Sequence, residues 1–283
     1  MNYYHKKNFL DSKTCKSLVK DYEELTSEIN HRWQGGRKLI ANTSLDFQYL
    51  RKDSESWNLL AEKIESNEFI EEILSELGIN PKKFKYTKFY STLSNITFLN
   101  KLREKSLGQV RNSNPLVLIL WSFYSFSVRF FAFVYSKFAM FFGFKLAELF
   151  YDASSASNGY SREIHRDSDS RIFVFLIYLN SLKMSKLSSG GELCTHVYIG
   201  NDSQDPPPQP SLNDAPIDNS IAPEMGSLIF FENKRDAYHS VSKMEGYEGE
   251  RFFIYGSLTI INGSYKHFCN SKYKLDTDIR IYL

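Results

Sequence analysis

His165-Arg166-Asp167 is the part of this sequence with the clearest chemistry, together with His239 and then Arg251 in a later strand-like run. Two side chains at i and i+2 on an extended segment leave the same side of a sheet. His165 and Asp167 can therefore face one point, and His239 can bring a second imidazole from another strand. Two imidazoles and one carboxylate on one face suit non-haem Fe(II) and leave positions open for a cosubstrate and O2. An arginine placed like Arg251 can take the far carboxylate of a dicarboxylate cosubstrate through two parallel charge-assisted hydrogen bonds. His5, His31, His196 and His267 lack such company and read as ordinary hydrogen-bonded residues. His196, on a strand-like run after Gly190-Gly191, is the decoy, because no arginine follows it at a suitable distance. Asp169 and Glu192 read as surface charges.

These residues need strands to position them. Arg171 to Asn180 is a continuous apolar run of strand length that ends in a turn residue, as expected for a strand buried on both faces. Gly190-Gly191-Glu192-Leu193 and then Pro223-Glu224-Met225-Gly226, leading into Ser227 to Phe231, read as turns feeding further strands. Gly249 to Ile260 supplies a closing strand after Tyr238-His239-Ser240-Val241. Upstream, Cys15, Leu18, Val19, Tyr22 and Leu25 have helical spacing behind an Asp11/Ser12 cap, and Trp57 to Leu77 repeats the pattern. Phe84 to Tyr90 reads as a strand, and residues 200–222 as a polar, proline-rich loop with no core to join.

In this order the segments resemble the prolyl 4-hydroxylase-like branch of the 2-oxoglutarate/Fe(II)-dependent oxygenase superfamily. The matching pieces are HRD at 165–167, RIFVFLIYLN at 171–180, GGEL at 190–193, PEMGSLIFF at 223–231, YHSV at 238–241 and GERF at 249–252. The opening Asn8 to Cys15 is similar to the start of that family as well. The resemblance implies a mainly β chain with helical additions: a double-stranded β-helix (jelly-roll, cupin-like) core with N-terminal helices packed on one sheet. It implies His165, Asp167 and His239 as iron ligands, Arg251 as the 2-oxoglutarate anchor, and Tyr178 and Tyr151 as further cosubstrate-facing residues. The implied reagents are Fe(II), 2-oxoglutarate, O2 and ascorbate. The implied reaction converts 2-oxoglutarate to succinate and CO2 while an aliphatic C–H is hydroxylated. Collagen-type prolyl hydroxylases usually carry lysine where this chain has Arg251, so the anchor leans toward other branches.

A length of 283 residues suits one such domain, divided as 1–90 (helices and a first strand), 91–147 (an insertion) and 148–265 (the catalytic β core). A net charge of +2 gives no reason to expect a nucleic-acid partner. Cys15, Cys194 and Cys269 are too scattered for a disulfide framework or a C-x-x-C zinc site, and they read as reduced thiols. No signal peptide is apparent, so the expectation is a cytoplasmic protein, with a peripheral membrane location as the alternative.

The family pattern does not explain residues 91–147. Pro115 to Tyr151 is dense in Phe, Leu and Ala with few β-branched residues, which reads as helix. Residues 101–145 hold seven Lys/Arg against one acidic residue, Glu104. A basic, aromatic, apolar stretch suits an interfacial membrane helix, and the charge-free run is shorter than the roughly 20 residues a span needs. The other readings are an insertion packed on the barrel and a homodimer contact. The substrate stays open between a peptidyl prolyl or other protein side chain and a lipid-linked or glycolipid molecule. A non-catalytic jelly-roll binding module is the reading from a different class.

Overall fold

Each of four helices starts where a side-chain oxygen replaces a missing helical acceptor. Asp11 caps α1 (Ser12–Thr26) by accepting from Thr14 N, and Ser44 caps α2 (Leu45–Asp53) by accepting from Phe47 N. Ser54 caps α3 (Glu55–Ile64) and Ser66 caps α4 (Asn67–Glu76) in the same way. The single helical pattern expected over 57–77 is thus two helices, because the Ser66 hydroxyl accepts from Phe69 N and starts a new one. The computed structural model describes residues 2–27, 32–34, 36–88, 130, 134, 138, 141, 145–180, 189–200 and 207–261.

The strands are β1 (Tyr3–Lys6), β2 (Arg32–Gln34), β3 (Arg37–Ala41), β4 (Phe84–Tyr86), β5 (Lys145–Ala156), β6 (Arg162–His165), β7 (Arg171–Tyr178), β8 (Leu193–His196), β9 (Ile217–Ile221), β10 (Leu228–Glu232), β11 (His239–Val241) and β12 (Arg251–Ile260). One sheet runs β1-β10-β7-β12-β5-β3-β2, with β4 beside β5, and a smaller sheet runs β6-β11-β8-β9. From β5 onward the chain passes back and forth between the sheets, with β5, β7, β10 and β12 in the large one and β6, the β8–β9 pair and β11 in the small one. That alternation of antiparallel strands is the double-stranded β-helix, or jelly roll.

Strand β7 shows how the layers form. Phe173, Phe175 and Ile177 join the core made with α1, α2, α3 and α4, where Trp57, Phe47, Leu18 and Phe69 pack. Val174, Leu176 and Tyr178 face the other way, into the space between the sheets, with Leu193, Ile221, Ile229, Phe231 and Phe253. The helices therefore pack on one face of the large sheet, and its other face looks at the small sheet. A strand covered on both sides has no polar face, hence its unbroken apolar sequence.

The stretch expected as a proline-rich loop over 200–222 contains β9, which pairs with β8 from Leu193↔Ile221 to His196↔Ile217. Residues 201–206 lie outside the described residues. So does most of the expected 91–147 insertion, apart from Phe130, Val134, Phe138 and Phe141, which are helical, and the first residues of β5. Among the described residues no helix is long and apolar enough to cross a membrane.

Candidate metal centre

Strand pairing brings the histidines together. His239 of β11 is the register partner of His165 of β6, so their rings leave the same face of the small sheet, with centroids 4.4 Å apart. Asp167 lies just past the end of β6, with its Oδ2 3.5 Å from His239 Nε2. One donor atom from each of His165, Asp167 and His239 lies within 4.8 Å of the others. Asp167 and His239 are buried and His165 is partly so.

Hydrogen bonds settle which imidazole nitrogens face the shared point. His165 Nδ1 is 2.8 Å from Glu163 O and His239 Nδ1 is 3.2 Å from Ala237 O. A carbonyl only accepts, so each Nδ1 carries the proton and each Nε2 offers a lone pair. Burial, and then the neighbouring His239, lower the His165 pKa to about 3, and burial lowers that of His239. Both rings are therefore neutral near pH 7, as metal ligation requires. Burial alone would raise the Asp167 carboxyl, but Arg171, both histidines and the Tyr255 hydroxyl outweigh it and hold it below the usual carboxylate range. Two neutral imidazoles and one carboxylate, all buried or nearly so, form a donor set suited to a divalent metal.

Arg171 and Tyr255 belong to this centre, although the sequence reading did not single them out. Arg171 Nη1 donates to Asp167 Oδ1 at 2.7 Å and also to the Tyr255 oxygen. Tyr255 OH in turn reaches both Asp167 oxygens, at 3.0 and 3.1 Å. Oδ1 is thereby held from outside while Oδ2 faces His239. Two signals were available. Arg171 is a charged residue opening an otherwise apolar strand, and Tyr255 is four residues after Arg251 on β12, hence on the same face.

Arg251 enters the same interior from β12. It is 2% exposed, and its Nη1 donates to Gly191 O at 2.5 Å. Its Nε and Nη2 are buried with no hydrogen-bond partner among the described residues. A desolvated guanidinium with two idle donors is costly unless an anion completes it. Tyr178 lies on the face that β7 turns to Arg251, its ring 6.5 Å from that of Phe253. Burial pushes the Tyr178 phenol up, and the charge of Arg251 opposes the shift.

Gly191 permits this placement. Its φ of +83° is the left-handed region, and a Cβ there would strike the Arg251 guanidinium. If Arg251 anchors 2-oxoglutarate, as the resemblance implies, Gly191→Ala is expected to weaken 2-oxoglutarate binding at least about tenfold while leaving metal affinity near wild type. Calorimetric titration of the metal-loaded variant checks this, and unchanged affinity would show that Arg251 is free to move aside.

Tyr151 does not join the centre. Its ring packs against Phe47 on the helix side of the large sheet, and its hydroxyl donates to Glu65 Oε1 at 2.7 Å. His196 sits on the outer face of the small sheet, with Nδ1 2.8 Å from Ala215 O and Nε2 2.8 Å from Ser240 Oγ. Both of its nitrogens are engaged away from the donor set. Asp169, read as a surface charge, is buried at the turn before β7, while Glu192 is half-buried and accepts from Ser242.

Residues 151–257 match the family model described as the 2OG-Fe(II) oxygenase superfamily. Solved structures similar to the chain include a prolyl-4-hydroxylase from Pseudomonas putida, at 12% identity over 91% of this chain and 92% of that one, with a TM-score of 0.39. A prolyl hydroxylase from Trichoplax adhaerens, in complex with a hypoxia inducible factor oxygen degradation domain peptide fragment, is 13% identical over 91% of this chain and 83% of that one, with a TM-score of 0.47. HygX from Streptomyces hygroscopicus, with nickel and 2-oxoglutarate bound, is 9% identical over 91% of this chain and 82% of that one, with a TM-score of 0.46. With TM-scores this low, none of them bears on what this chain acts on. No curated protein matches the sequence.

Proposed function

We propose that this chain, whose residues 151–257 match the 2OG-Fe(II) oxygenase superfamily model, hydroxylates an aliphatic C–H, holding iron with His165, Asp167 and His239 and 2-oxoglutarate with Arg251. One observation carries the proposal: a buried guanidinium with two idle donors opens into the same interior as a buried His/Asp/His donor set. When bound, Fe(II), 2-oxoglutarate and O2 supply an oxidative decarboxylation coupled to hydroxylation. The chain's own residues do the rest. His165 and His239 present Nε2 lone pairs, and Asp167 supplies the charge, aimed by Arg171 and Tyr255. Arg251 supplies two donors for the far carboxylate, which fixes the cosubstrate's reach and direction. Val174, Leu176, Leu193 and Phe253 line the interior with apolar surface that excludes water. Tyr178 contributes to that wall and lies within electrostatic reach of Arg251.

The test is anaerobic reconstitution with Fe(II) and 2-oxoglutarate. The expected result is a weak visible charge-transfer band that needs both components. A protein that binds neither, with its fold intact, would instead be a jelly-roll binding module.

The substrate we assign first is a protein side chain, peptidyl proline foremost, on the motif resemblance at 165–180 and 238–252. One observation supports a second reading, a lipid-linked substrate at a membrane surface. Phe130, Val134, Phe138 and Phe141 recur at helical spacing and are 53, 47, 64 and 84% exposed, within a strongly basic stretch. On this reading the protein co-sediments with vesicles containing anionic lipid, and Phe138→Ser with Phe141→Ser weakens that binding several-fold while uncoupled 2-oxoglutarate turnover persists. A wild-type protein that ignores such vesicles leaves the protein side chain as the substrate.

A further inference from the structure

The small sheet carries a second polar group into the metal centre. Thr195 of β8 is the register partner of His239, just as His165 is on the other side, so the three side chains form one row on the inner face. Facing side chains in such a pair have Cβ atoms about 5 Å apart. Alternation along β8 agrees, since Leu193 belongs to the interior cluster while His196 bonds to Ser240 on the outer face. Thr195 is completely buried, and its Oγ1 has no hydrogen-bond partner among the described residues. A buried hydroxyl without a partner is destabilising, and valine would fill the same space without that cost.

Strand β8 also links this hydroxyl to the carboxylate anchor. Two residues before its start Gly191 O accepts from Arg251 Nη1, and four residues further along the chain Thr195 stands beside His239. Leu193 lies between them and turns apolar surface inward. A short dicarboxylate reaching from Arg251 to the donor set would therefore run along β8, carboxylate against guanidinium at one end and its other acid end beside Thr195.

We propose that Thr195 is a ligand-contacting residue of this centre, its hydroxyl donating to a carboxylate oxygen at the metal end of a bound 2-oxo acid. The proposal rests on the assigned His165/Asp167/His239 and Arg251 sites and adds a neutral donor beside the metal. Such a donor recognises the acid next to the keto group, so it favours a 2-oxo acid over a plain dicarboxylate that occupies Arg251 alone.

The experiment titrates 2-oxoglutarate, and separately succinate, into wild type, Thr195→Val and Thr195→Ser, each loaded anaerobically with Mn(II). Mn(II) affinity and the apo melting temperature are measured alongside. Thr195→Val is expected to bind 2-oxoglutarate about tenfold more weakly or worse, with succinate affinity and Mn(II) affinity near wild type and an apo melting temperature unchanged or raised. Thr195→Ser keeps the hydroxyl and should bind 2-oxoglutarate within about threefold of wild type. If Thr195→Val does not fold, Thr195→Ala against Thr195→Ser gives the same comparison. Equal 2-oxoglutarate affinity in the valine, or alanine, and serine proteins overturns the role of Thr195 while leaving the assigned site standing. A wild-type protein that takes Mn(II) but not 2-oxoglutarate overturns both.

Discussion

Alanine at His165 or His239 is expected to abolish turnover and to lower metal affinity by more than about 100-fold. Loss of an outer-shell partner alone costs roughly 10- to 100-fold, and these variants remove one of three donors outright. Arg171→Leu, which releases Asp167 Oδ1, and Tyr255→Phe, which loosens both carboxylate oxygens, belong in that lower range. His196→Ala should leave metal affinity unchanged, because its nitrogens bond to Ala215 O and Ser240 Oγ on the outer face. Asp167→Ala adds a second effect, since it removes the carboxylate paired with the buried Arg171 guanidinium. Breaking a buried pair from one side costs about 3–5 kcal/mol, so this variant should also melt well below the two histidine variants. Equilibrium dialysis with Co(II), with melting temperatures measured on the same samples, separates the two effects. Metal retained in His165→Ala or His239→Ala would remove that histidine from the donor set.

Arg251→Ala should keep its metal and lose the cosubstrate. Truncating one partner of a buried charge pair costs about 2–5 kcal/mol, which is roughly a 30- to 4,000-fold rise in the 2-oxoglutarate Kd. Arg251→Lys keeps a cation without the fork and should fall between. The apo protein should respond in the opposite sense. Arg251→Met removes a desolvated guanidinium whose Nε and Nη2 have no partner among the described residues, so its melting temperature without ligand should equal or exceed that of wild type. A stabilised apo protein that no longer takes 2-oxoglutarate is the signature of a group kept for its ligand. Wild-type 2-oxoglutarate affinity in Arg251→Ala would mean that another cation holds the carboxylate.

Most of the elements and the chemical types of the site residues were legible along the chain. The apolar run at 172–178 reads as a strand covered on both faces, and cores on its two sides use alternate residues of it. His165-x-Asp167, His239 and Arg251 stood out because their types and order, set among strand-like runs, suit two imidazoles and a carboxylate on a metal with a carboxylate anchor behind them. Side-chain direction was harder to read. Strand β5 is buried along nearly its whole length, so its sequence has no alternation to say which face Tyr151 takes. Its pairing with Gly256, and the helices that cover that face, turn it toward Phe47 and Glu65. The same holds for β9, whose pairing with β8 organises a stretch with the composition of a loop.

Parity across the small sheet was likewise invisible along the chain. His196 and Thr195 are neighbours on a short buried strand, and only the register His239↔Thr195 decides that the threonine faces the His165/Asp167/His239 cluster and the histidine faces away. Arg171 and Tyr255 meet at Asp167 from β7 and β12, far apart in sequence, so their role exists only once those strands pair. Local pattern reports how much of a segment is buried. Which atoms share the buried space follows from strand register, which the tertiary structure alone supplies.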